Sequence, residues 1–232
     1  EAGLMETGMR LCTFDDHDLL DCIPMRIDSV AQDCPALARA AFSPNIRVRL
    51  DFSCALFTAE GDLLAQAAHI PVHVGSMPTQ VQRLASTRQL QPGQLYLGND
   101  PFDGGTHLPD LTLLEPIFVG DQCVAIAAVR AHHADIGGTV PGSMSSQADI
   151  YGEGLRVPLL LIADDGIWNA ELMKLLLANM RSPSEREGDL LAQSAACRAA
   201  REGIQRIVQQ WAGGDVARWQ SGQRALLDAS QA

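Results

Sequence analysis

Two apolar runs rich in β-branched residues constrain the fold of this chain more than any other feature. They occupy residues 111–119 and 123–130, and only Gly-Asp-Gln at 120–122 separates them. Two such runs joined by a short glycine-containing turn are typical of a β-hairpin. Because the strands of a hairpin are antiparallel, the sequences on either side of this segment are predicted to meet in space.

The flanking sequences are polar and rich in histidine, aspartate and glycine. GNDPFDGGTHLPD precedes the first strand, and RAHHADIGGTVPGSM continues from the second. If the turn centres on Asp121, residues whose numbers sum to about 242 face each other, so Asp110 faces His132 and His107 lies about one turn beyond. Facing Cβ atoms are about 5 Å apart, which lets both side chains reach one ion. The sequence therefore predicts that His107, Asp110 and His132 form one site.

The residue types in this site indicate a metal. Two imidazoles and one carboxylate, with no thiolate nearby, suit a divalent ion such as zinc, manganese or iron, and they leave positions open for water or substrate. Further polar residues of the same blocks could orient an imidazole or replace a ligand: Asp100, Asp103, His133 and Asp135. The alternative is a pair of polar loops whose histidine and aspartate side chains cap strands and bond to the backbone.

A second pair of histidines, His69 and His73, flanks a proline in HIPVH. In an extended segment these two side chains share a face, so they could approach one metal or substrate together. The pattern favours structural histidines, with His73 the better candidate of the two for a role in the site. An amphipathic helix is predicted to follow over 77–90.

The remaining patterns complete the fold. Alternating residues in 47–57, a turn at 59–62 and residues 63–67 predict a second hairpin, and 157–163 predicts another strand that turns at 164–166. Helices are predicted over 171–180 and from the capping sequence at 182–185 to about Trp211. We expect an α+β fold with a mixed or antiparallel sheet built from hairpins, flanking helices and a helical C-terminal segment.

Three segments follow from these patterns. Residues 1–17 are predicted to be a tail or linking arm, and 18–181 an α+β domain that holds the metal site. Residues 182–232 are predicted to be a helical segment that packs on the domain or forms a subunit interface.

Composition excludes several classes of function. With 17 Lys and Arg against 28 Asp and Glu, the formal charge is −11, and no basic run is available to neutralise phosphates, so nucleic acid is not an expected partner. No apolar stretch is long enough to span a membrane, and the first ten residues lack the pattern of a signal peptide. The six cysteines are scattered and predicted to be reduced thiols. We expect a cytoplasmic protein.

Several motifs resemble the hydantoinase B/oxoprolinase family. They are NDPFDGGTHLPDLT, AHHADIGGTVPGSM, YGEGLRVP, SPNIRVRLDFSCALF, HIPVHVGSM and ANMRSPSEREGDLLAQ. Together they extend over nearly all of residues 40–210. The family includes B-type subunits of ATP-dependent hydantoinases and 5-oxoprolinases, and large subunits of acetone carboxylase-like enzymes. The resemblance implies a divalent metal held by His107, Asp110 and His132, and members of the family are usually more than twice as long as this chain.

The resemblance also implies that two different chains carry out the two steps of the reaction. The chain has no P-loop and no dinucleotide-binding glycine motif, so ATP with magnesium is expected at an A-type partner that phosphorylates the substrate. This chain would then open a cyclic amide at its metal, with Asp135 or Asp103 as general base and His133 as a further catalytic candidate. A separate subunit is expected to supply the C-terminal half. The alternatives are an acetone carboxylase-like subunit that carboxylates a phosphorylated ketone, and a non-catalytic assembly subunit.

Overall fold

The computed structural model describes residues 27–28, 30–31, 35–68, 70–144 and 146–230. Its helices are α1 (Pro35–Ala40), α2 (Pro44–Arg47), α3 (Pro71–Thr87), α4 (Ile150–Glu153), α5 (Ala170–Ala178), α6 (Pro183–Ala212) and α7 (Val216–Ser230). Its strands are β1 (Phe52–Phe57), β2 (Leu63–Ala68), β3 (Leu95–Gly98), β4 (Asp110–Val119), β5 (Gln122–His132), β6 (Leu160–Asp164) and β7 (Ile167–Trp168).

The seven strands form one sheet in the order β2-β1-β5-β4-β3-β6-β7. All neighbouring strands pair antiparallel. Three of the pairs are hairpins between consecutive strands, which are β1–β2, β4–β5 and β6–β7. The α+β class and the hairpin-built sheet predicted from the sequence are thus confirmed, and the β4–β5 hairpin lies at the centre of the sheet.

Helices cover both faces of the central strands, so these strands are apolar on both sides. On one face Val81 and Leu84 of α3 pack with Ile126 and Ala128 of β5. On the other face α6 packs on the alternate positions, and Cys197 lies in the same cluster as Val129. Because successive side chains of a strand point to opposite faces, each polar residue near β4 and β5 is directed either toward α3 or toward α6.

Two elements begin at positions other than those predicted. The strand predicted from Arg47 begins at Phe52, because Pro44 starts the short helix α2 and Leu50 then adopts a positive φ of 53° that breaks the extended run. Residues 71–76, predicted to be extended, are the first turns of α3, where Pro71 occupies the favoured first position. His69 lies outside the described residues.

The C-terminal helices follow the predicted pattern closely. Pro183 begins α6 and Gly213 ends it in the left-handed conformation, although Ser182 makes no side-chain capping bond. Among the described helices, none combines the length and apolarity needed to cross a bilayer. Cys123 and Cys197 are free, whereas Cys54 is in a disulfide, so the prediction of reduced thiols is wrong for Cys54.

Candidate metal centre

A tight turn just before β4 brings His107 and Asp110 together. The backbone N–H of Asp110 donates to the carbonyl of His107 at 2.9 Å, which closes a turn over four residues. His107 Nδ1 then lies 2.7 Å from Asp110 Oδ2. The His107 side chain is 43% exposed while that of Asp110 is fully buried, so the site opens to solvent on the side of His107.

The hairpin supplies the third residue. Asp110 pairs with His132 in the register of β4 and β5, and His132 Nδ1 lies 3.1 Å from Asp110 Oδ1. The rings of His107 and His132 are 4.9 Å apart between centroids. One possible ligand atom from each of the three residues lies within 4.8 Å of the other two. The structure therefore brings together the three residues predicted from the sequence as one group that could hold a metal ion.

His73 is a third histidine at this carboxylate. It lies near the start of α3, is buried, and places Nε2 3.3 Å from Asp110 Oδ2. Its Nδ1 lies 3.1 Å from the hydroxyl oxygen of Ser53 on β1. The group of mutually close ligand atoms does not extend to His73, so its geometry suits a residue that orients Asp110.

The charge of Asp110 is fixed by these neighbours. Burial alone would raise the pKa of this carboxyl, but the hydrogen bonds from His107, His132 and His73 outweigh it and hold the pKa well below its usual range. The Asp110 hydrogen bond in turn raises the pKa of His107, against the lowering by burial, and the charges of Asp51 and Glu153 add to the increase. A carboxylate that stays ionised beside two imidazoles is the donor set that zinc, manganese or iron would accept, so the residues present fit a divalent metal.

Asp100 and Asp103 shape the loop that leads to His107. Asp100 Oδ1 accepts from the backbone N–H of Phe102 at 3.0 Å, and its carbonyl accepts from Gly105 at 2.8 Å. Asp103 pairs with Arg83 of α3, whose Nε lies 3.2 Å from Oδ1. Neither belongs to the group of mutually close ligand atoms.

His133 points away from Asp110, because it follows His132 directly and so lies on the opposite face of the sheet. It is fully buried against α6, where Nε2 lies 2.8 Å from Gln193 Oε1, and its Nδ1 has no partner within the described part of the chain. Burial lowers the pKa of His133 to about 4, although the bond to Gln193 acts in the other direction. Its imidazole is therefore neutral at physiological pH.

Asp135 is held by an arginine. Its Oδ1 accepts from Arg181 Nη1 at 2.7 Å, and its Oδ2 accepts from the backbone N–H groups of Arg181, at 2.5 Å, and Gly137, at 3.2 Å. These contacts join the loop after β5 to the segment before α6. The catalytic roles of Asp135, Asp103 and His133 stay predictions.

Three buried polar residues that the sequence patterns do not single out lie around the site. Asn99 donates to the carbonyls of Leu108 and Leu155, at 2.7 and 2.9 Å, and so fixes the loop that carries His107. Ser53 contacts His73, and Arg130 lies on β5 two residues before His132. Ser53 lies on the polar side of an alternating pattern and Arg130 at the end of an apolar run, and neither pattern shows that the position is buried on both faces of the sheet.

The sequence of this chain matches the family model described as hydantoinase B/oxoprolinase over residues 19–230. The chain belongs to the hydantoinase B/oxoprolinase family. The match includes every residue of the candidate metal centre.

Two relatives illustrate the breadth of the family. The chain is 41% identical over 208 residues to an uncharacterized protein of Methanocaldococcus jannaschii, covering 87% of this chain and 37% of that protein. It is 38% identical over 200 residues to the 5-oxoprolinase of Dictyostelium discoideum, covering 84% of this chain and 16% of that enzyme. The chain thus spans well under half the length of either relative.

Two solved structures share the fold. The ATP-dependent caprolactamase of Pseudomonas jessenii superposes with a TM-score of 0.84 and 27% identity, over 93% of this chain and 37% of the enzyme's chain. Nucleotide-free acetone carboxylase superposes with a TM-score of 0.81 over 88% of this chain and 27% of its own, but at 20% identity this similarity establishes the fold alone.

Proposed function

We propose that this chain is part of an ATP-dependent hydrolase of cyclic amides and opens the activated ring at a divalent metal held by His107, Asp110 and His132. The observation that carries the proposal is the convergence of these three side chains, with their ligand atoms within 4.8 Å of one another. Relatives named 5-oxoprolinase and caprolactamase support hydrolysis of a lactam.

The donor set suits the chemistry of this reaction. A divalent metal at these residues would supply Lewis acidity, which activates water and polarises a carbonyl or phosphoryl oxygen. Asp110 would act as a ligand rather than a base, because its low pKa makes it a poor proton acceptor near neutral pH. The substrate would approach from the side of His107, where the site opens to solvent.

A separate group would accept the proton of the attacking water. We propose Asp135 and Asp103 as the candidates for this base. We propose His133, which follows His132 and lies on the opposite face of the sheet, as a further residue that contributes to catalysis. In ring opening by water, the new carbon–oxygen bond replaces the amide carbon–nitrogen bond, and the nitrogen takes up a proton. The acyl phosphate that remains is cleaved by a second water to the carboxylate and inorganic phosphate. Only a carboxylate that is freed from its arginine partner could take up the water proton efficiently, so the Arg181 contact of Asp135 and the Arg83 contact of Asp103 must loosen in the reactive complex.

The nucleotide step is assigned to a partner. The sequence has no phosphate-binding glycine loop, and the chain carries a formal charge of −11. We therefore propose an A-type partner that binds ATP with magnesium and phosphorylates the substrate. We also propose that a separate C-terminal-half subunit, or a further segment of the same chain, completes the assembly.

A reconstituted assay tests this function. The chain is mixed with an A-type partner, a C-terminal-half partner, magnesium-ATP and either hydantoin or 5-oxoproline, and ring opening is followed by chromatography. We expect ATP-dependent ring opening that Asp110→Asn abolishes, while some substrate-stimulated ATP hydrolysis by the partner remains. Parallel reactions with a ketone and labelled bicarbonate test the carboxylase alternative. Label fixed into acid-stable product without lactam hydrolysis would replace the proposal by that alternative, and no activity with any partner would favour an assembly role.

A further inference from the structure

Arg130 of β5 is a buried cation that makes no salt bridge with the described residues, although the charge of Asp110 lies near enough to raise its pKa against the lowering by burial. Its relative exposure is 0%, and its guanidinium donates to neutral acceptors, with Nε 2.7 Å from Thr112 Oγ1 and Nη2 2.9 Å from Gln80 Oε1. Removing a charge from water costs free energy that neutral acceptors only partly return. Fold stability alone therefore does not account for an arginine at this position.

The position places the charge beside the candidate metal centre. Arg130 lies two residues before His132, so both side chains are on the α3 face of the sheet. Arg130 faces Thr112 across the hairpin, just as His132 faces Asp110. The Arg130–Thr112 pair is thus the next pair on this face of the sheet after Asp110–His132, which supplies two of the proposed ligands.

Two further elements are bonded to the same guanidinium. Nη1 donates to the hydroxyl of Ser76 on α3. Together with the bond to Gln80, this gives the guanidinium two hydrogen bonds to that helix. Nη2 also donates to the carbonyl of Gly104 at 2.9 Å, in the loop that leads to His107. Ser76 follows His73 by three residues, so these two side chains lie on the same side of α3.

The loop and the helix are in direct contact at this point. Gly104 has a φ of 87°, and a Cβ on it would lie 2.5 Å from the backbone nitrogen of Gln80. The loop backbone therefore rests on α3 with no space for a side chain, and Arg130 bonds to both partners of this contact.

We propose that Arg130 is a positioning residue for the metal centre: it fixes α3 and the 99–107 loop on the β4–β5 hairpin, so that His73 and His107 converge on Asp110. Arg130 does not itself touch the metal. The inference rests on the proposed function, since it presupposes a metal at His107, Asp110 and His132.

Cobalt binding provides the test. Co²⁺ is titrated into the metal-free protein, its absorption spectrum is recorded, and its dissociation constant is measured by competition with a chelator. Arg130→Met removes the charge and all four hydrogen bonds, and we expect about tenfold weaker binding with an altered Co²⁺ spectrum. Arg130→Lys keeps the charge but cannot reach all the acceptors, so we expect an intermediate dissociation constant.

A control variant distinguishes an effect on the placement of the metal ligands from a general loss of fold stability. Leu84→Ala removes a fully buried side chain of the same helix that forms no hydrogen bond with Arg130, so we expect a lower melting temperature and unchanged Co²⁺ affinity and spectrum in the folded protein. If the Arg130 variants do not fold, Ser76→Ala, which deletes one acceptor on a half-buried residue, is expected to weaken Co²⁺ binding by about threefold.

The outcomes distinguish the inference from the proposed function. A folded Arg130→Met protein with the wild-type affinity and spectrum would overturn the inference and leave the metal centre intact, as would wild-type binding by Ser76→Ala where Arg130→Met does not fold. Equal weakening by Leu84→Ala would also overturn it, because general destabilisation would then explain the effect. If the wild-type protein binds no Co²⁺, the proposed metal centre itself fails.

Discussion

Asp110 and His132 form the residue pair at the open end of the β4–β5 hairpin, and His132 Nδ1 lies 3.1 Å from Asp110 Oδ1. The site is thereby built on two hydrogen-bonded strands at the centre of the sheet. His107 and His73 are instead supplied by the loop before β4 and by α3, which side-chain contacts join to these strands. Sites on strands are held more precisely than sites on loops, so the loop and α3 are the parts whose placement the predictions below test.

Gly104→Ala is expected to destabilise the protein more than Gly142→Ala. Both glycines have a φ near +85°, at 87° and 83°, so each alanine costs about 1 kcal/mol of backbone strain. At Gly104 the new Cβ would also clash with the backbone of Gln80, whereas at Gly142 nothing lies within 4 Å. We expect the free energy of unfolding in urea to fall by at least about 2 kcal/mol for Gly104→Ala and by about 1 kcal/mol for Gly142→Ala. Equal losses would show that the loop does not rest on α3.

His73→Ala is expected to weaken metal binding by about tenfold without abolishing it, because the variant removes a hydrogen bond to Asp110 but no ligand. His73→Gln retains an amide donor and should recover part of the affinity. Val72→Ala, at a neighbouring position that is 59% exposed, serves as the control and should bind metal normally. The measurement is a competition titration with a chelator. Loss of binding as complete as in His107→Ala would instead make His73 a ligand.

Asp135→Asn separates the catalytic role from the structural one. If Asp135 is the general base, the variant in the reconstituted complex should lose at least about 100-fold in kcat while retaining the metal. If Asp135 serves only to bind Arg181, then Arg181→Met should produce the same loss of stability as Asp135→Asn, and both should retain activity. The two variants are compared by metal analysis, thermal melting and turnover.

The buried His133 predicts a pH dependence of stability. Burial lowers its pKa to about 4, below the ordinary value of 6.5, so in acid the unfolded chain takes up a proton that the folded protein does not bind. The contribution of His133 is therefore complete above about pH 6.5 and is lost as the pH falls toward about 4, by at most about 3 kcal/mol.

His133→Gln removes the titrating group and should flatten the stability profile between about pH 6.5 and about pH 4. The measurement is the urea-induced unfolding free energy of the metal-free proteins with a chelator present. Identical slopes for wild type and variant would show that His133 does not account for the loss.

Most of the centre was predictable because one turn sets the register of two strands. The prediction centred the turn on Asp121, and Asp110 faces His132 as that register requires. The turn itself is one residue tighter, since Val119 pairs with Gln122, and an irregularity between Ile117 and Phe118 restores the predicted register beyond it. A local rule thus gave the right pairing at the site although it misplaced the turn.

The remainder depends on packing between distant segments, which local patterns do not report. His73 reaches Asp110 only because α3 crosses the sheet face next to β1, and the sequence pattern had suggested an extended segment there. Arg130 looked like the polar end of an apolar strand, and its bonds to Ser76, Gln80 and Gly104 join segments about 26 to 54 residues away. Proximity in the sequence groups Asp135 and His133 with the ligands, whereas strand alternation directs His133 to the opposite face of the sheet.

Metal content of the purified chain tests the central claim most directly. The protein is stripped with chelator, incubated with zinc or manganese, freed of excess ion by gel filtration and analysed by mass spectrometry for metal per chain. We predict about one divalent ion in the wild type and in the control Asp121→Ala, which changes an exposed turn residue at the far end of the same hairpin. His107→Ala, Asp110→Ala and His132→Ala should each lose it. Wild-type stoichiometry in these three variants, or no metal in the wild type, would contradict the account.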